Sequence, residues 1–234
     1  MRNREGAVKE RARRQRRDHR FDLIAFDWDG TLMDSTATIA TSIQRACADL
    51  GLPVPSDEQA SHVIGLGLVD ALAYAVPAMP KDMVPQMVER YRHHYLSRDA
   101  DLPLFPGVRE IVVSLKEAGY FVAVATGKSR VGLDRALNLS GLRPLFDATR
   151  CADECRSKPD PQMLWDLGDE LGVRNDRMLM IGDTTHDLQM ATNAGASSLG
   201  VSYGAHAERA LEGHGALAIV GSTGQLRAWL AANT

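Results

Sequence analysis

Short apolar runs alternate with amphipathic stretches along this chain. Phe21 to Phe26 is apolar except for Asp22 and stops at an acidic cluster beginning with Asp27, which predicts a buried strand delivering carboxylates at its C-terminal end. Val108, Ile111, Val112 and Leu115 recur at helical spacing over 107 to 118, with Gly119 placed as a C-terminal cap, and Tyr120 to Ala125 is apolar again. Strand, crossover helix and strand is the natural interpretation. The alternation continues through Met163, Leu164, Leu167 and Leu171 on a helix, Met178 to Ile181 as a strand, and a helix from about Asp187 to Ala194. Shorter strands are expected near Leu199 to Ser202 and Ala218 to Val220.

This alternation predicts an α/β protein, a parallel sheet with helices on both faces whose ligand site lies beyond the C-terminal strand ends. Three such ends carry polar chemistry, at Asp27, Thr126 and Asp183. The stretch between the first strand and the helix at 107 is longer than a crossover requires. Its pattern is helical, with Ile39, Ile43, Ala46 and Leu50 in one candidate helix and Met83, Met87, Val88, Tyr91 and Tyr95 in another. A helical cap inserted over 36 to 103 fits, with Pro103 and Pro106 marking the return. The expected organisation is a tail over 1 to 20, a core from 21 to 35 and 104 to 234, and the cap between them.

Composition narrows the class. Hydrophobic residues at 44% and charged residues at 24% of the 234 exclude collagenous and disordered chains, and no apolar run approaches a bilayer span. Cys47, Cys151 and Cys155 have no paired CxxC spacing, so neither a disulfide framework nor a zinc site is expected, and a reducing cytoplasm is the simplest home. Residues 1 to 20 hold nine Arg or Lys against three Asp or Glu, although the whole chain is −3. That tail has almost no apolar residue with which to fold or insert, so it reads as solvated. No membrane contact is expected, and no nucleic-acid partner beyond nonspecific contact by the tail.

In Asp27-Trp28-Asp29-Gly30-Thr31, two carboxylates stand one residue apart at a strand end, before a glycine that permits a sharp turn. A calcium loop starting at Asp27 would want Gly and Glu where Leu32 and Thr38 stand. In Gly182-Asp183-Thr184-Thr185-His186-Asp187 the acids are four apart, and with Asp27 they would supply the oxygen ligands that magnesium prefers. Thr126 and Gly127 offer a hydroxyl and backbone N–H groups to phosphate oxygens, and Lys158 adds a positive charge. Taken singly, Thr126 reads equally as a turn or helix cap, Lys158 as a surface charge and Asp187 as a helix-start charge.

As an ordered set, Phe26-Asp27-Trp28-Asp29-Gly30-Thr31, Ala125-Thr126-Gly127, Ser157-Lys158-Pro159 and Gly182-Asp183-Thr184-Thr185-His186-Asp187 resemble the four motifs of the haloacid dehalogenase superfamily. The resemblance covers nearly everything after residue 20. It implies a Rossmann-like core with an inserted helical cap, as in the subclass that includes phosphoglycolate phosphatases and β-phosphoglucomutases. It implies Asp27 as nucleophile, Asp29 as acid/base, Thr126, Gly127 and Lys158 as the phosphate-binding group, and Asp27, Asp29, Asp183 and Asp187 as the magnesium set. The activity it implies is hydrolysis of a small phosphorylated metabolite through a phospho-aspartate.

Three alternatives bear on that expectation. A dehalogenase of the superfamily resembles this chain but typically lacks an acid matching Asp29, since a halide leaves without protonation. A phosphomutase must hold a second phosphate in its cap, and Ser61 to Leu68, the expected cap loop, has no Arg or Lys. A phosphoaccepting receiver domain resembles a shorter chain without a large insertion. Within the cap, Gly65 and Gly67 suit either a turn or a close approach to substrate, His62 reads as structural before substrate-binding, and only part of Tyr91 to Tyr95 can face one site.

Overall fold

The computed structural model describes residues 19–234, so nearly all of the basic tail lies outside the described residues. Six parallel strands form one sheet in the order β3-β2-β1-β4-β5-β6: β1 Leu23–Phe26, β2 Phe121–Thr126, β3 Ala148–Cys151, β4 Met178–Gly182, β5 Ser197–Val201 and β6 Ile219–Val220. Side chains alternate across each strand, and the two faces bury different partners. Ile24, Phe26, Val122, Val124, Leu179 and Ile181 share one cluster with Val108, Ile111, Val112 and Leu115 of helix α5 (Val108–Glu117). Leu23, Ala25, Ala123, Ala125, Met178 and Met180 pack on the other face against Met163, Leu164 and Leu167 of helix α7 (Gln162–Leu171). This is the expected α/β Rossmann-like sheet covered on both sides, and it leaves only the strand ends free for chemistry.

The insertion precedes α5. Helices α1 (Thr36–Asp49), α3 (Leu68–Ala75) and α4 (Val84–Leu96) share a third cluster that includes Ile39, Ile43, Leu72 and Met87, joined by Val63 and Ile64 just after α2 (Asp57–His62). The chain then returns through Leu104, which bridges Met33. Expected boundaries shift by a few residues, and Met83 precedes α4 instead of belonging to it. Leu50 caps α1 instead of belonging to it, and Ser61 and His62 end α2, so the loop facing the core is only 63–67.

Three further elements carry little periodic signal. Edge strand β3 alternates no apolar face, with half-buried Thr149 and Arg150 between Ala148 and Cys151. Helix α6 (Arg130–Ser140) exposes Val131 and Leu139, which blurs its apolar stripe, and the C-terminal helix α10 (Thr223–Asn233) buries only Leu226 and Leu230. Helices α8 (Thr185–Ala194) and α9 (Glu208–Leu211) complete the core. No helix among the described residues is long and apolar enough to cross a membrane.

Candidate active site

Strand register brings the polar ends together. Phe26 of β1 is paired with Val124 of β2 and Ile181 of β4, so Asp27 follows one residue beyond this row, and Thr126 and Asp183 two residues beyond it. Thr184 caps α8 by accepting from the Asp187 N–H, which turns the chain back so that Asp187 faces the same place as Asp183. Asp27, Asp183 and Asp187 are fully buried, each offering a carboxylate oxygen within 4.8 Å of the others. Gly30 makes this approach possible: its φ is +81°, and a Cβ there would fall 2.1 Å from Asp183 Oδ2.

Lys158 enters from the loop before α7, and its buried ammonium donates to Asp27 Oδ1 and Asp187 Oδ1, both at 2.7 Å. Asp187 Oδ2 accepts from the Thr184 hydroxyl at 2.7 Å, while Asp183 accepts from the Thr31 hydroxyl at 2.8 Å and the Ala205 N–H at 2.6 Å. Burial pushes the Asp27 carboxyl up to about 7; Lys158 pulls it down and Asp187 pushes it up. Burial, Asp27 and Asp187 likewise hold Asp183 well above the usual carboxylate range. Burial works against the Lys158 ammonium, but Asp187 and Asp27 outweigh it and raise its pKa. One ammonium thus faces three buried carboxylates, and Asp27 Oδ2 is buried with no hydrogen-bond partner. This donor set of oxygen atoms with surplus negative charge fits a hard divalent cation.

Asp29 looks elsewhere. Its Oδ1 accepts from the Ser35 hydroxyl at 2.6 Å and lies 3.1 Å from the Lys128 ammonium. Lys128 also donates to the Tyr95 hydroxyl of α4 at 2.8 Å, and its backbone N–H donates to Thr126 Oγ1 at 3.2 Å. The Asp29 carboxylate is therefore outside the cluster formed by the other three acids.

The 63–67 loop closes over the strand ends. A Cβ on Gly127 would lie 2.4 Å from the Leu66 carbonyl oxygen and 2.5 Å from that of Gly65, so only glycine admits this docking. Gly67 N–H donates to Ser157 Oγ at 2.8 Å. The His62 carbonyl accepts from Nε2 of His186 at 2.9 Å and of His206 at 3.1 Å. His206 Nδ1 accepts from the Thr185 N–H, which leaves the proton on Nε2 for that bond, and burial keeps the ring neutral by pushing its pKa down to about 4.

Residues 24–201 match the family model of the haloacid dehalogenase-like hydrolases. The chain belongs to that family. Among haloacid dehalogenase-like hydrolases it is 36% identical over 191 residues to a probable phosphatase, IndB, of Dickeya dadantii, covering 79% of this chain and 82% of that protein. It is 34% identical to a phosphoglycolate phosphatase of Aliivibrio fischeri, covering 78% and 84% respectively. Its fold superposes on the crystal structure of a predicted phosphoglycolate phosphatase from Haemophilus somnus with a TM-score of 0.81 at 26% identity, covering 91% of this chain and 99% of that one.

For this haloacid dehalogenase-like hydrolase, the structure brings Asp27, Lys158, Asp183 and Asp187 into one buried group, with Thr126 and Gly127 on the neighbouring strand end. Asp29 lies beside them but is held by Ser35 and Lys128. Reasoning from sequence gave no role to Thr31, Ser35, Lys128, Thr184 and His206, and left open which part of Tyr91 to Tyr95 faces the site. Thr31 and Thr184 lay inside quoted motifs and could have been found as hydroxyls beside acids. Lys128 follows Gly127 directly, but no spacing rule pairs it with Asp29.

Proposed function

We propose that the chain is a magnesium-dependent phosphatase that hydrolyses a small phosphate monoester, of the phosphoglycolate or sugar phosphate class, through a phospho-aspartate on Asp27. The observation that carries this is the Asp27 carboxylate, one oxygen held by Lys158 and the other buried without a partner, beside Asp183 and Asp187. The named phosphatases among the relatives support the reaction class.

Thr126, the Gly127 N–H and Lys158 hold the phosphate oxygens, which anchors the phosphorus against Asp27. A carboxylate oxygen of Asp27 attacks phosphorus, the bond to the ester oxygen breaks, and Asp29 gives the departing alcohol its proton. Water then attacks the phosphorus of phospho-Asp27 while Asp29 takes a proton from it. The acyl phosphate bond breaks, which returns Asp27 and releases inorganic phosphate. Held by Asp27, Asp183 and Asp187, magnesium would supply positive charge that offsets the repulsion between an anionic nucleophile and an anionic ester. Asp29 serves as acid/base; its side chain stands outside the three-acid cluster, with Oδ1 held by Ser35 and Lys128.

Residues 21–35 and 104–234 act as the catalytic core and 36–103 as the cap, in a cytoplasmic enzyme whose three cysteines are free thiols. A mutase would need a cation in the cap for a second phosphate, and the docked segment 61–68 holds neither Arg nor Lys. Phosphate release from a panel of monoesters, with magnesium and with chelator, tests the assignment. Turnover is expected only with the metal and is expected to vanish in Asp27→Asn; full activity in a chelated sample would overturn it.

A further inference from the structure

Lys128 is a buried cation that the phosphate chemistry leaves unused. Its side chain and that of Asp29 are each 10% exposed, and it joins two parts of the chain that no local pattern relates. On one side the ammonium is 3.1 Å from Asp29 Oδ1. On the other it donates to the Tyr95 hydroxyl at 2.8 Å and sits 4.7 Å from the centre of the Tyr95 ring, a cation–π distance. Tyr95 in turn stacks on Tyr91 one turn earlier in α4, with ring centres 5.8 Å apart. Burial pushes the Tyr95 phenol up, so it meets Lys128 as a neutral hydroxyl.

The two donors to Asp29, the Ser35 hydroxyl and Lys128, both reach Oδ1. Oδ2 is the oxygen left to carry a proton, and fixing Oδ1 from two sides orients it. Ser35 belongs to the core and is present whatever the insertion does. Lys128 stands two residues beyond β2, and the Tyr95 it meets belongs to helix α4 of the insertion.

We propose that Lys128 and Tyr95 are positioning residues for Asp29: closure of the helical insertion brings the Tyr95 hydroxyl to Lys128, which holds Oδ1 of Asp29 so that Oδ2 faces the leaving group. This rests on the reading of Asp29 as the acid/base. It makes proton transfer conditional on closure, so that a bound ester is cleaved only after the site has excluded water. Lys158 serves the phosphate, and Lys128 serves the group that leaves.

Leaving-group acidity reads this out. Alkyl esters need protonation as the bond breaks, whereas an ester of an acidic phenol needs little. Tyr95→Phe keeps the ring and its stack but removes the hydroxyl, and Lys128→Met keeps the length of the side chain but removes the charge. For kcat/KM measured from 4-nitrophenyl phosphate to alkyl phosphates, each variant is expected to lose roughly 10-fold or more on alkyl esters and under about 3-fold on the aryl ester, within the range of general acid catalysis. Tyr91→Phe, which leaves the Tyr95 and Lys128 contact in place, should follow the wild-type dependence. A merely structural role would lower every ester by the same factor or change KM alone, and either result in Tyr95→Phe overturns the proposal. Failure of the underlying reading looks different: Asp29→Asn would then sustain fast turnover of alkyl esters.

Discussion

The Lys158 ammonium lies 2.7 Å from Oδ1 of Asp27, across 131 positions of sequence, with both side chains fully buried. The same nitrogen is 2.7 Å from Asp187, so one cation holds two carboxylates that would otherwise repel. Charge balance in this small volume governs stability and chemistry together.

Removing that cation should therefore do two things. Lys158→Met leaves three buried carboxylates uncompensated, and losing one partner of a buried ion pair costs about 3–5 kcal/mol. In metal-free buffer the melting temperature should fall by on the order of 10 °C for a chain of this size. Magnesium should restore part of the loss, while kcat falls at least about 100-fold because the phosphate loses a fixed donor. Unchanged melting in chelator would show that Lys158 does not balance these acids.

Metal binding should release protons. Asp27 is raised from 3.8 to about 7, so between those values the folded metal-free chain keeps a proton that the unfolded chain has lost. Its contribution to stability is full below the unfolded pKa and is lost as pH rises through about 7; Asp183 is shifted in the same direction. Magnesium competes with those protons, so its affinity should increase from about pH 6 to about pH 8. Calorimetric titration in buffers of different ionisation enthalpy measures the released protons, and heats independent of buffer would contradict the shift. Asp183→Asn should weaken this binding and lower activity at limiting magnesium.

Asp29→Asn keeps Asp27 and the three-acid cluster but removes the proton shuttle. With an aryl phosphate of an acidic phenol, one equivalent of phenolate per site should appear before turnover stalls, because hydrolysis of phospho-Asp27 still needs water activated. Mass spectrometry under conditions that protect acyl phosphates should place the phosphate on Asp27. Sustained fast turnover by this variant would refute the acid/base role, and phosphate on another residue would refute the nucleophile.

Gly127→Ala tests closure by a different route. The added Cβ meets two backbone carbonyl oxygens of the docked loop, neither of which can rotate aside. Loss of kcat/KM by about 10-fold or more is expected, with melting close to wild type, since a small misplacement of the cap costs catalysis more than core packing. A variant with wild-type kinetics would mean that the loop does not need this approach for turnover.

Much of the fold was legible because burial has a local signature. Leu23 to Phe26, Phe121 to Ala125 and Met178 to Ile181 are apolar runs, and α5 and α7 carry helical stripes, so neighbouring residues alone announced strand and helix. Edge strand β3, with half-buried Thr149 and Arg150 between Ala148 and Cys151, and helix α6, whose exposed Val131 and Leu139 blur its stripe, gave no such signal. The motif residues were likewise readable as polar groups at strand ends, and a parallel sheet places such ends on one side.

By itself the sequence determined the alternation of elements, the helical insertion and the identity of Asp27, Thr126, Lys158, Asp183 and Asp187 as candidates. Tertiary structure alone decided that Lys158 spans Asp27 and Asp187, that Asp29 turns to Ser35 and Lys128, and that Tyr95 reaches Lys128 from α4. Periodicity records whether a residue is buried, a property of its own element. Which charges meet depends on strand register and on how the insertion docks, and these are relations between residues far apart in the chain.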